Sequence, residues 1–414
     1  MFLFREIKEE DVKGKIFAAG LLAALTVAGN AEAKSLEDIL KEKGVITEAD
    51  YKEVNKAKPI KYKVGSGFTF LSDDEKFSLN LGSRIQARYT FTDNDEKNDV
   101  SEWKVRRAKF WLKGHAYSKD LTYKVQVNFA DSGSSKMLED AFFNYRLLNE
   151  AQILVGQDKV PFGRQELTSS GAQQFVDRSN ATDTFKPGRD IGAKFHGKAA
   201  GGILEYSAGW YGGGGQSQTR STNNNAVAVR VAVNPLGEMK YSEADLEHSK
   251  KPLVSVGANW HRNAFVKGEA NNTSYYGKWL SKGAKFAANE KIEVNTAGAD
   301  VAFKWLGFSA QGEYFWAQGD GDSVSNTKQR AHGFYAQTGY FIIPKHLEAA
   351  VRYSYVDPDR SITNNIQTET QGAISYYFNK HNLKLQADVT NIHKQTSGPS
   401  TDDMQYRLQA QIIF

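Results

Sequence analysis

Basic side chains recur at spacings of two or four residues in several stretches of the sequence, a pattern that suits a path for hydrated anions. Arg84 and Arg88, for example, alternate with apolar residues. In an extended chain successive side chains point to opposite faces, so such residues share one face of a strand. Guanidinium groups suit oxyanions because their donors can bind two oxygens at once. The residues predicted on this basis to line a pore are Arg84, Arg88, Arg107, Lys109, Lys113, Asp140 and Arg146.

Other chemistry finds little support in the sequence. The chain has no cysteine, which excludes disulfides, thiolate metal sites and a cysteine nucleophile. Its eight histidines are scattered without ligand spacing, and the acidic run 93–99 lacks the glycine and glutamate of a calcium-binding EF-hand. No catalytic triad or carboxylate pair stands out. We therefore predict no enzyme activity, no cofactor and no metal site, and the net charge of +5 is too small to imply nucleic-acid binding.

The elements that must position these residues are β-strands, because the dominant period from Phe77 onward is two. We count about sixteen alternating segments, an even number as in bacterial outer-membrane barrels. Short polar links alternate with long ones, except that the link 234–252 is long on the predicted short-turn side. The predicted strands are 77–92, 103–116, 121–131, 137–147, 151–158, 189–197, 202–211, 226–233, 253–261, 296–305, 308–317, 332–341, 347–357, 367–378, 383–392 and 404–414.

A soluble β-sandwich would also show alternating strands. Charges all along the second face oppose that fold, because a sandwich core does not tolerate them. The final strand ends on Phe414, which resembles the signal read by barrel-assembly machinery. Outward aromatic residues near the strand ends also fit the interface girdles of a barrel: Trp103, Trp210, Trp260, Trp305, Trp316, Tyr353 and Tyr376. The sequence therefore favours an all-β fold, a closed antiparallel transmembrane β-barrel.

The N-terminal region predicts export. Residues 16–28 are apolar, too short to span a bilayer, and followed by the cleavage pattern Ala31-Glu32-Ala33. We predict a signal peptide over 1–33, with the true start at Val12 because the preceding residues are unusually acidic. Residues 34–60 show two capped helical patterns and predict a short helical arm in the periplasm. The barrel is predicted over 61–414.

Several motifs resemble the phosphate-selective porin family (porins O and P), across nearly the whole mature chain. They are GQDKVPFG (156–163) with ELTSS (166–170), Arg106-Arg107-Ala108, Asp177-Arg178-Ser179, GRDIG (188–192) and the LEDIL…GVITE pattern of the arm. The resemblance implies a sixteen-stranded barrel, usually trimeric, whose third long loop narrows the pore. It also implies that Arg84, Arg106, Arg107 and Asp140 fall where family members carry an arginine ladder and its acidic partner.

The connection 159–188 is predicted to be that constriction loop. It is rich in small and hydroxylated residues, and irregular backbone at membrane depth is tolerated only where it lines a water-filled cavity. A mobile surface loop is the alternative. Glu166 departs from the family pattern, which has lysine two residues before the Thr-Ser-Ser stretch, and a carboxylate there would repel phosphate. The predicted loop residues are Lys159, Arg164, Glu166, Thr168, Ser169 and Ser170.

The sequence thus predicts an outer-membrane porin of a Gram-negative bacterium for passive diffusion of small hydrophilic solutes. Anions are the expected preference, with phosphate or other oxyanions as candidate solutes. A general or weakly cation-selective porin, and a non-conducting structural or adhesive barrel, remain the alternatives. The expected partners are outer-membrane lipid, lipopolysaccharide, small ions and two further copies of the chain in a homotrimer.

Overall fold

A computed structural model describes residues 36–51, 60–131, 136–220, 222–267, 278–283, 285–322 and 327–414. The predicted signal peptide, with its cleavage site and alternative start, lies outside these residues. The chain divides into two compact units, Met1–Lys58 and Pro59–Phe414. None of the helices in the described ranges is both long enough and apolar enough to cross a membrane.

The first unit contains short helices. Helix α1 covers Leu36–Glu42, and Gly44 follows it with φ of 66°, a left-handed conformation that favours glycine after a helix. A second helical turn begins at Glu48. Thr47 caps it reciprocally with Asp50: the Asp50 amide donates to Thr47 Oγ1 at 3.1 Å, and the Thr47 amide donates to Asp50 Oδ2 at 2.9 Å.

The second unit is an antiparallel β-barrel. Its strands are β1 Ile60–Lys63, β2 Gly67–Leu71, β3 Ser78–Asp93, β4 Val100–Ala116, β5 Ser118–Asn128, β6 Leu138–Arg146, β7 Gln152–Lys159, β8 Arg189–Ala199, β9 Leu204–Tyr211, β10 Ala226–Val233, β11 Leu253–Val266, β12 Lys291–Trp305, β13 Phe308–Gly321, β14 Lys328–Ile343, β15 Leu347–Asp357, β16 Gln367–Asn379, β17 Leu383–Lys394 and β18 Thr401–Ile413. Two short helices lie between β7 and β8, α2 Arg164–Leu167 and α3 Asn180–Phe185. Short 3-10 turns cover Phe129–Asp131, Ala200–Gly202 and Lys278–Gly283.

The sixteen strands β3–β18 close on themselves. Each pairs with the next, and β18 returns to β3, where Ala410 lies opposite Ala87. All sixteen predicted segments are therefore strands, and the predicted closed barrel is confirmed. The hairpin β1–β2 is additional, because β2 pairs with the start of β3, where Phe68 faces Leu81. It occupies the edge of β3 that β18 leaves free, since the pairing of β18 with β3 begins at Arg84.

Side chains alternate between the two faces of the barrel wall. In β10 the outward positions are valines that are about 37–41 % exposed, whereas the inward Ala226, Ala228 and Arg230 are buried. The outward Trp103 is 69 % exposed. An apolar exterior with aromatic residues and a polar interior is the pattern of a barrel surrounded by lipid.

The two ends of the barrel differ. The short-turn rim carries compact links such as 306–307 and 344–346, whereas the long-loop rim carries longer ones such as 160–188 and 212–225. The link 234–252 is long although it lies on the short-turn side. Within it Glu243, Asp245 and Leu246 are buried, and the Glu243 amide donates to Ala172 O at 3.0 Å. This link therefore packs into the barrel interior against residues of the 160–188 connection.

Candidate pore and its constriction

The connection 160–188, here called the constriction segment, lies inside the barrel. Arg164 Nη1 donates to Ser255 Oγ of β11 at 3.0 Å. Further along, the Ala181 amide donates to Ser354 Oγ of β15 at 3.0 Å. The segment begins and ends between β7 and β8, whereas β11 lies three strands and β15 seven strands around the barrel from β8. The segment therefore crosses the lumen and covers the wall made by β11–β17.

Two buried carboxylates, Glu313 on that wall and Glu243 in the link 234–252, hold the backbone of the constriction segment. Glu313 of β13 accepts the amides of Arg164 at 2.8 Å and Gln165 at 2.5 Å, which are the first residues of α2. A negative charge at this position is favourable because the first amides of a helix have no partner within it. Glu243 accepts the Gln174 amide at 2.8 Å and Gln165 Nε2 at 2.9 Å. The segment thus covers these acidic groups and separates them from the rest of the lumen.

Aromatic packing adds to this attachment. The ring of Phe315 on β13 stacks on Phe162 at a centroid distance of 6.0 Å and on Phe185 at 5.6 Å. Phe162 and Phe185 come from the two ends of the constriction segment, and all three rings are buried. Burying such rings contributes roughly 1.5–3 kcal/mol each, so both ends of the segment are fixed to the same strand.

A cavity of about 720 Å³ remains on the other side of the lumen, beside β3–β8. Eleven basic and five acidic side chains line it, a formal excess of six positive charges. The basic ones are Arg84, Arg106, Arg107, Lys109, Lys113, Lys124, Lys136, Lys159, Arg178, Lys186 and Arg189, and the acidic ones are Asp131, Glu139, Asp140, Asp158 and Glu166. A second cavity, of about 300 Å³, lies nearer the long-loop rim.

Four residues line both cavities: Arg106, Arg107, Arg178 and Lys186. They therefore mark the passage from one cavity to the other, and all four are basic. Two come from β4 and two from the constriction segment, so the passage lies between the barrel wall and the segment. A solute that moves by this route from the long-loop rim to the short-turn rim passes these four cationic side chains where the two cavities meet.

Adjacent residues on one strand normally face opposite sides, and a β-bulge explains how Arg106 and Arg107 both reach the lumen. Gln86 of β3 pairs with Arg107, but the next residue, Ala87, pairs with Val105, so Arg106 is the extra residue. Such a bulge re-aims a side chain. A second bulge, in β6, skips Glu139 between two successive pairs with β5 and brings it to the lumen beside Asp140.

The carboxylate of Asp177 in the constriction segment forms ion pairs with three arginines. Its carboxylate lies 2.6 Å from Arg88 Nη1, 3.1 Å from Arg107 Nη2 and 3.7 Å from Arg106 Nη2. Burial would raise the pKa of Asp177, but the charges of Arg107, Arg88 and Arg106 outweigh it and hold this pKa well below its usual value. Asp177 is therefore ionised, and it fixes the segment to the arginines of β3 and β4.

Glu166 is ionised as well, and its charge is balanced by neighbours. Its side chain is only 5 % exposed, and Oε2 lies 3.0 Å from Arg178 Nε and 3.6 Å from Lys186 Nζ. Burial would raise the pKa of Glu166, but Arg178 and Lys186 outweigh it and lower this pKa to about 2. The carboxylate that departs from the family pattern thus lines the cavity as a member of ion pairs with two basic residues.

Arg84 contacts the segment differently. Its Nη1 donates to Ser169 Oγ at 3.0 Å and its Nη2 to Ser170 Oγ at 2.9 Å. None of the carboxylates in the described part of the chain forms an ion pair with it. Gly171 makes room for this arrangement, because a Cβ there would lie 2.4 Å from Arg84 Nη1. Arg84 therefore lies at the cavity wall without a directly paired carboxylate.

The structure brings ten of the fourteen predicted site residues to the larger cavity: Arg84, Arg106, Arg107, Lys109, Lys113, Asp140, Lys159, Glu166, Ser169 and Ser170. The other four lie elsewhere. Arg88 is buried against Asp177 and Gln409, and Arg164 and Thr168 are buried on the far side of the constriction segment. Arg146 is exposed at the short-turn rim, 2.6 Å from Asp120.

Sequence reasoning did not single out several lining residues. Arg178, Lys186 and Arg189 belong to the constriction segment and the start of β8, and only the folded chain shows that they face β4 and β6. Arg189 Nε, for instance, lies 2.7 Å from Asp140 Oδ1. Glu139 did carry a signal, because two adjacent acids in an alternating strand imply either a bulge or an outward charge.

The chain is similar to known proteins over most of its length. The family model described as phosphate-selective porin O and P matches residues 79–414. An uncharacterized protein of Aquifex aeolicus is 24 % identical over 95 % of this chain and 98 % of that protein. Porin O of Pseudomonas aeruginosa is 22 % identical over 79 % of this chain and 77 % of its own length.

Solved structures share the fold. The outer-membrane channel DcaP of Acinetobacter baumannii is 14 % identical, with a TM-score of 0.55 over 84 % of this chain and 100 % of that chain. OmpT of Vibrio cholerae, an outer-membrane protein solved in a trimer form, is 12 % identical, with a TM-score of 0.52 over 81 % of this chain and 99 % of that chain.

Proposed function

Because the chain belongs to the phosphate-selective porin O and P family, we propose that it is an outer-membrane porin through which small hydrophilic anions diffuse passively. One observation carries the preference for anions: the four residues common to the two cavities are all basic. Rings of charge at the narrowest point of a pore determine which ions pass, so this passage favours anions.

The charge balance of the larger cavity supports the same preference. Four of its five acidic residues are held in ion pairs, as in Lys109 with Glu139 at 2.5 Å and Lys124 with Asp140 at 2.6 Å. The constriction segment meanwhile covers the carboxylates of Glu313 on β13 and of Glu243 in the link 234–252. The open path is therefore lined by excess positive charge, which concentrates anions between low-dielectric walls. The second cavity is lined by six basic and three acidic side chains, and its acidic Asp183 is paired with Lys186 and Lys278.

Oxyanions, with phosphate among them, are the solutes that this path suits best. Guanidinium groups bind tetrahedral and planar oxyanions through two donors at once. Arg84 offers such a group without an acidic partner, and Ser169 and Ser170 beside it supply hydroxyl groups. The ion pairs of Glu166 with Arg178 and Lys186 remove the repulsion that a free carboxylate would exert on phosphate.

The setting of the porin follows from its exterior and its relatives. We place it in the outer membrane of a Gram-negative bacterium, with lipid and lipopolysaccharide around its apolar face. A homotrimer is supported by family membership and by the trimer form of the similar Vibrio cholerae protein. We propose no enzymatic activity, because channel function explains both the family membership and the basic lining of the lumen. The mass in detergent by light scattering checks the trimer, and a monomer would contradict it.

Block of chloride current by phosphate tests the oxyanion assignment. The wild type, Arg84→Gln and Arg146→Gln are compared in planar bilayers as phosphate is added. Phosphate is expected to block the wild type and Arg146→Gln alike, because Arg146 lies outside both cavities. Arg84→Gln should need several times more phosphate. Equal block of all three channels contradicts the role of Arg84, and no conductance in any of them contradicts the porin assignment.

A further inference from the structure

Two aromatic side chains lie among the charges of the larger cavity. Trp111 of β4 and Phe142 of β6 both line it and are half-buried. Most aromatic residues of the strands face outward, as barrels in lipid require. Trp111 stands between Lys109 and Lys113 on the inward face of β4, where the alternating pattern would place another polar residue. An aromatic ring on a water-filled path is unusual enough to need a physical reason.

The barrel wall is shaped to hold the indole of Trp111. Its partner across the strand pair is the inward-facing Gly82 of β3. A Cβ on Gly82 would lie 2.4 Å from Trp111 Cζ2, so the ring occupies the space that any other residue would fill. Trp111 Nε1 also donates to Asn80 Oδ1 at 3.3 Å. One face of the indole thus packs against the barrel wall at Gly82, and its Nε1 is hydrogen-bonded to Asn80. The other face lines the cavity.

Two lysines next to this ring, Lys113 and Lys124, carry two positive charges, and the acidic side chains around them do not neutralise both. Lys113 and Lys124 are direct partners across β4 and β5. Like charges on directly opposite residues repel. Among the residues that the structure describes, Lys124 forms an ion pair with Asp140 at 2.6 Å, and Lys113 forms none. Lys113 Nζ lies 5.9 Å from the centroid of the Trp111 ring. An anionic group between the two lysines would offset their repulsion within reach of the indole.

We propose that this part of the cavity is a binding site for organic anions that contain a flat ring. The phosphate or carboxylate of the solute lies between Lys113 and Lys124, and its ring stacks on Trp111, with Phe142 on the neighbouring wall. The site rests on the proposed anion-selective porin function and names its preferred solute class. Inorganic phosphate needs no aromatic surface, whereas a ring gains from stacking in addition to burial. Cavities of roughly 300–1,000 Å³ hold drug-sized ligands, so about 720 Å³ accommodates such a solute.

Block of chloride current by two matched solutes tests the site. Phenyl phosphate has a ring and ethyl phosphate has none, while both carry the same charged group. We expect phenyl phosphate to block the wild-type channel at about three to ten times lower concentration, the range that a ring–ring contact supplies. Trp111→Leu should reduce this ratio to near one, and Trp111→Phe should restore part of it.

Trp103→Leu is the matched control, because Trp103 lies on the same strand but faces outward and is 69 % exposed. It should keep the wild-type ratio. Migration in unheated gels verifies that every variant forms a barrel. If Trp111→Leu does not form one, Trp111→Phe provides the test, and its blocking ratio should lie between one and the wild-type value. If the wild-type channel is anion-selective but both solutes block it equally, the ring site alone is overturned. The same holds if Trp111→Leu keeps the wild-type ratio of blocking concentrations. A cation-selective wild-type channel would instead overturn the porin proposal on which the site rests.

Discussion

Replacing Glu166 with glutamine removes one charge from the constriction segment while keeping the size of the side chain. Glu166 is 5 % exposed and is paired with Arg178 and Lys186. In the variant both cations lose their carboxylate and remain at the passage between the two cavities. We therefore expect two effects: a less stable attachment of the segment, and a stronger preference of the channel for anions.

The magnitude of the first effect follows from the pKa of Glu166. In the folded protein this pKa is about 2, against an ordinary value of 4.5. Each factor of ten in proton affinity is worth about 1.4 kcal/mol, so the ionised carboxylate contributes roughly 3 kcal/mol. Because the folded pKa is the lower one, this stabilisation is complete above about pH 5. It is lost as the pH falls from about 4.5 through about 2.

The assay is urea unfolding of the barrel in lipid vesicles, followed at pH 7 and at successively lower pH. Glu166→Gln should lower the free energy of unfolding by about 3 kcal/mol at pH 7 and should flatten its dependence on pH below 5. Glu75→Gln is the control, because Glu75 is 52 % exposed and its pair with Lys119 is screened by solvent, so its loss should leave the free energy of unfolding nearly unchanged.

Two results would refute this reasoning. If Glu166→Gln were as stable as Glu75→Gln at pH 7, the ion pairs of Glu166 would not hold the constriction segment. If the variant moved the reversal potential toward potassium, the freed Arg178 and Lys186 would not face the ion path. The first result would return Glu166 to the role of a free, repulsive charge in the pore, and the second would remove Arg178 and Lys186 from the ion path.

Three further substitutions test other parts of the lumen. Gly171→Ala should displace the flexible end of Arg84, and we expect weaker phosphate block with little change in the urea midpoint. Glu313→Ala removes the acceptor of two amides at the start of α2, so single-channel conductance should rise as the segment loosens; an unchanged conductance would count against that anchor. Arg230→Met leaves Asp300 buried without its partner at 2.5 Å, and unfolding should become easier by about 3–5 kcal/mol while the reversal potential stays the same.

The barrel could be predicted because every strand alternates between lipid and water. Even β10, with only eight residues, repeats apolar and small or polar positions without a break. The hairpin β1–β2 was not predicted as strands, because its strands have four and five residues, too few to establish a period. The length of the link 234–252 was an exception in the sequence, and its buried contacts with the constriction segment supply the reason.

The candidate site could be predicted only in part. Alternation tells which side chains face inward, but it cannot tell the open cavity from the space that the constriction segment fills. Arg84 and Arg88 are four residues apart on one face, yet Arg84 lines the cavity and Arg88 is buried under Asp177. Bulges also shift the pattern by one residue, as at Arg106. Which acid neutralises which base depends on contacts across the lumen, which strand periodicity does not encode.

The reversal potential of single channels in a tenfold KCl gradient tests the central claim most directly. The account predicts a potential on the chloride side, because the passage between the cavities is lined by Arg106, Arg107, Arg178 and Lys186. It should move toward zero at high salt, where screening weakens these charges. A potential on the potassium side, or none at low salt, would contradict an anion-selective passage.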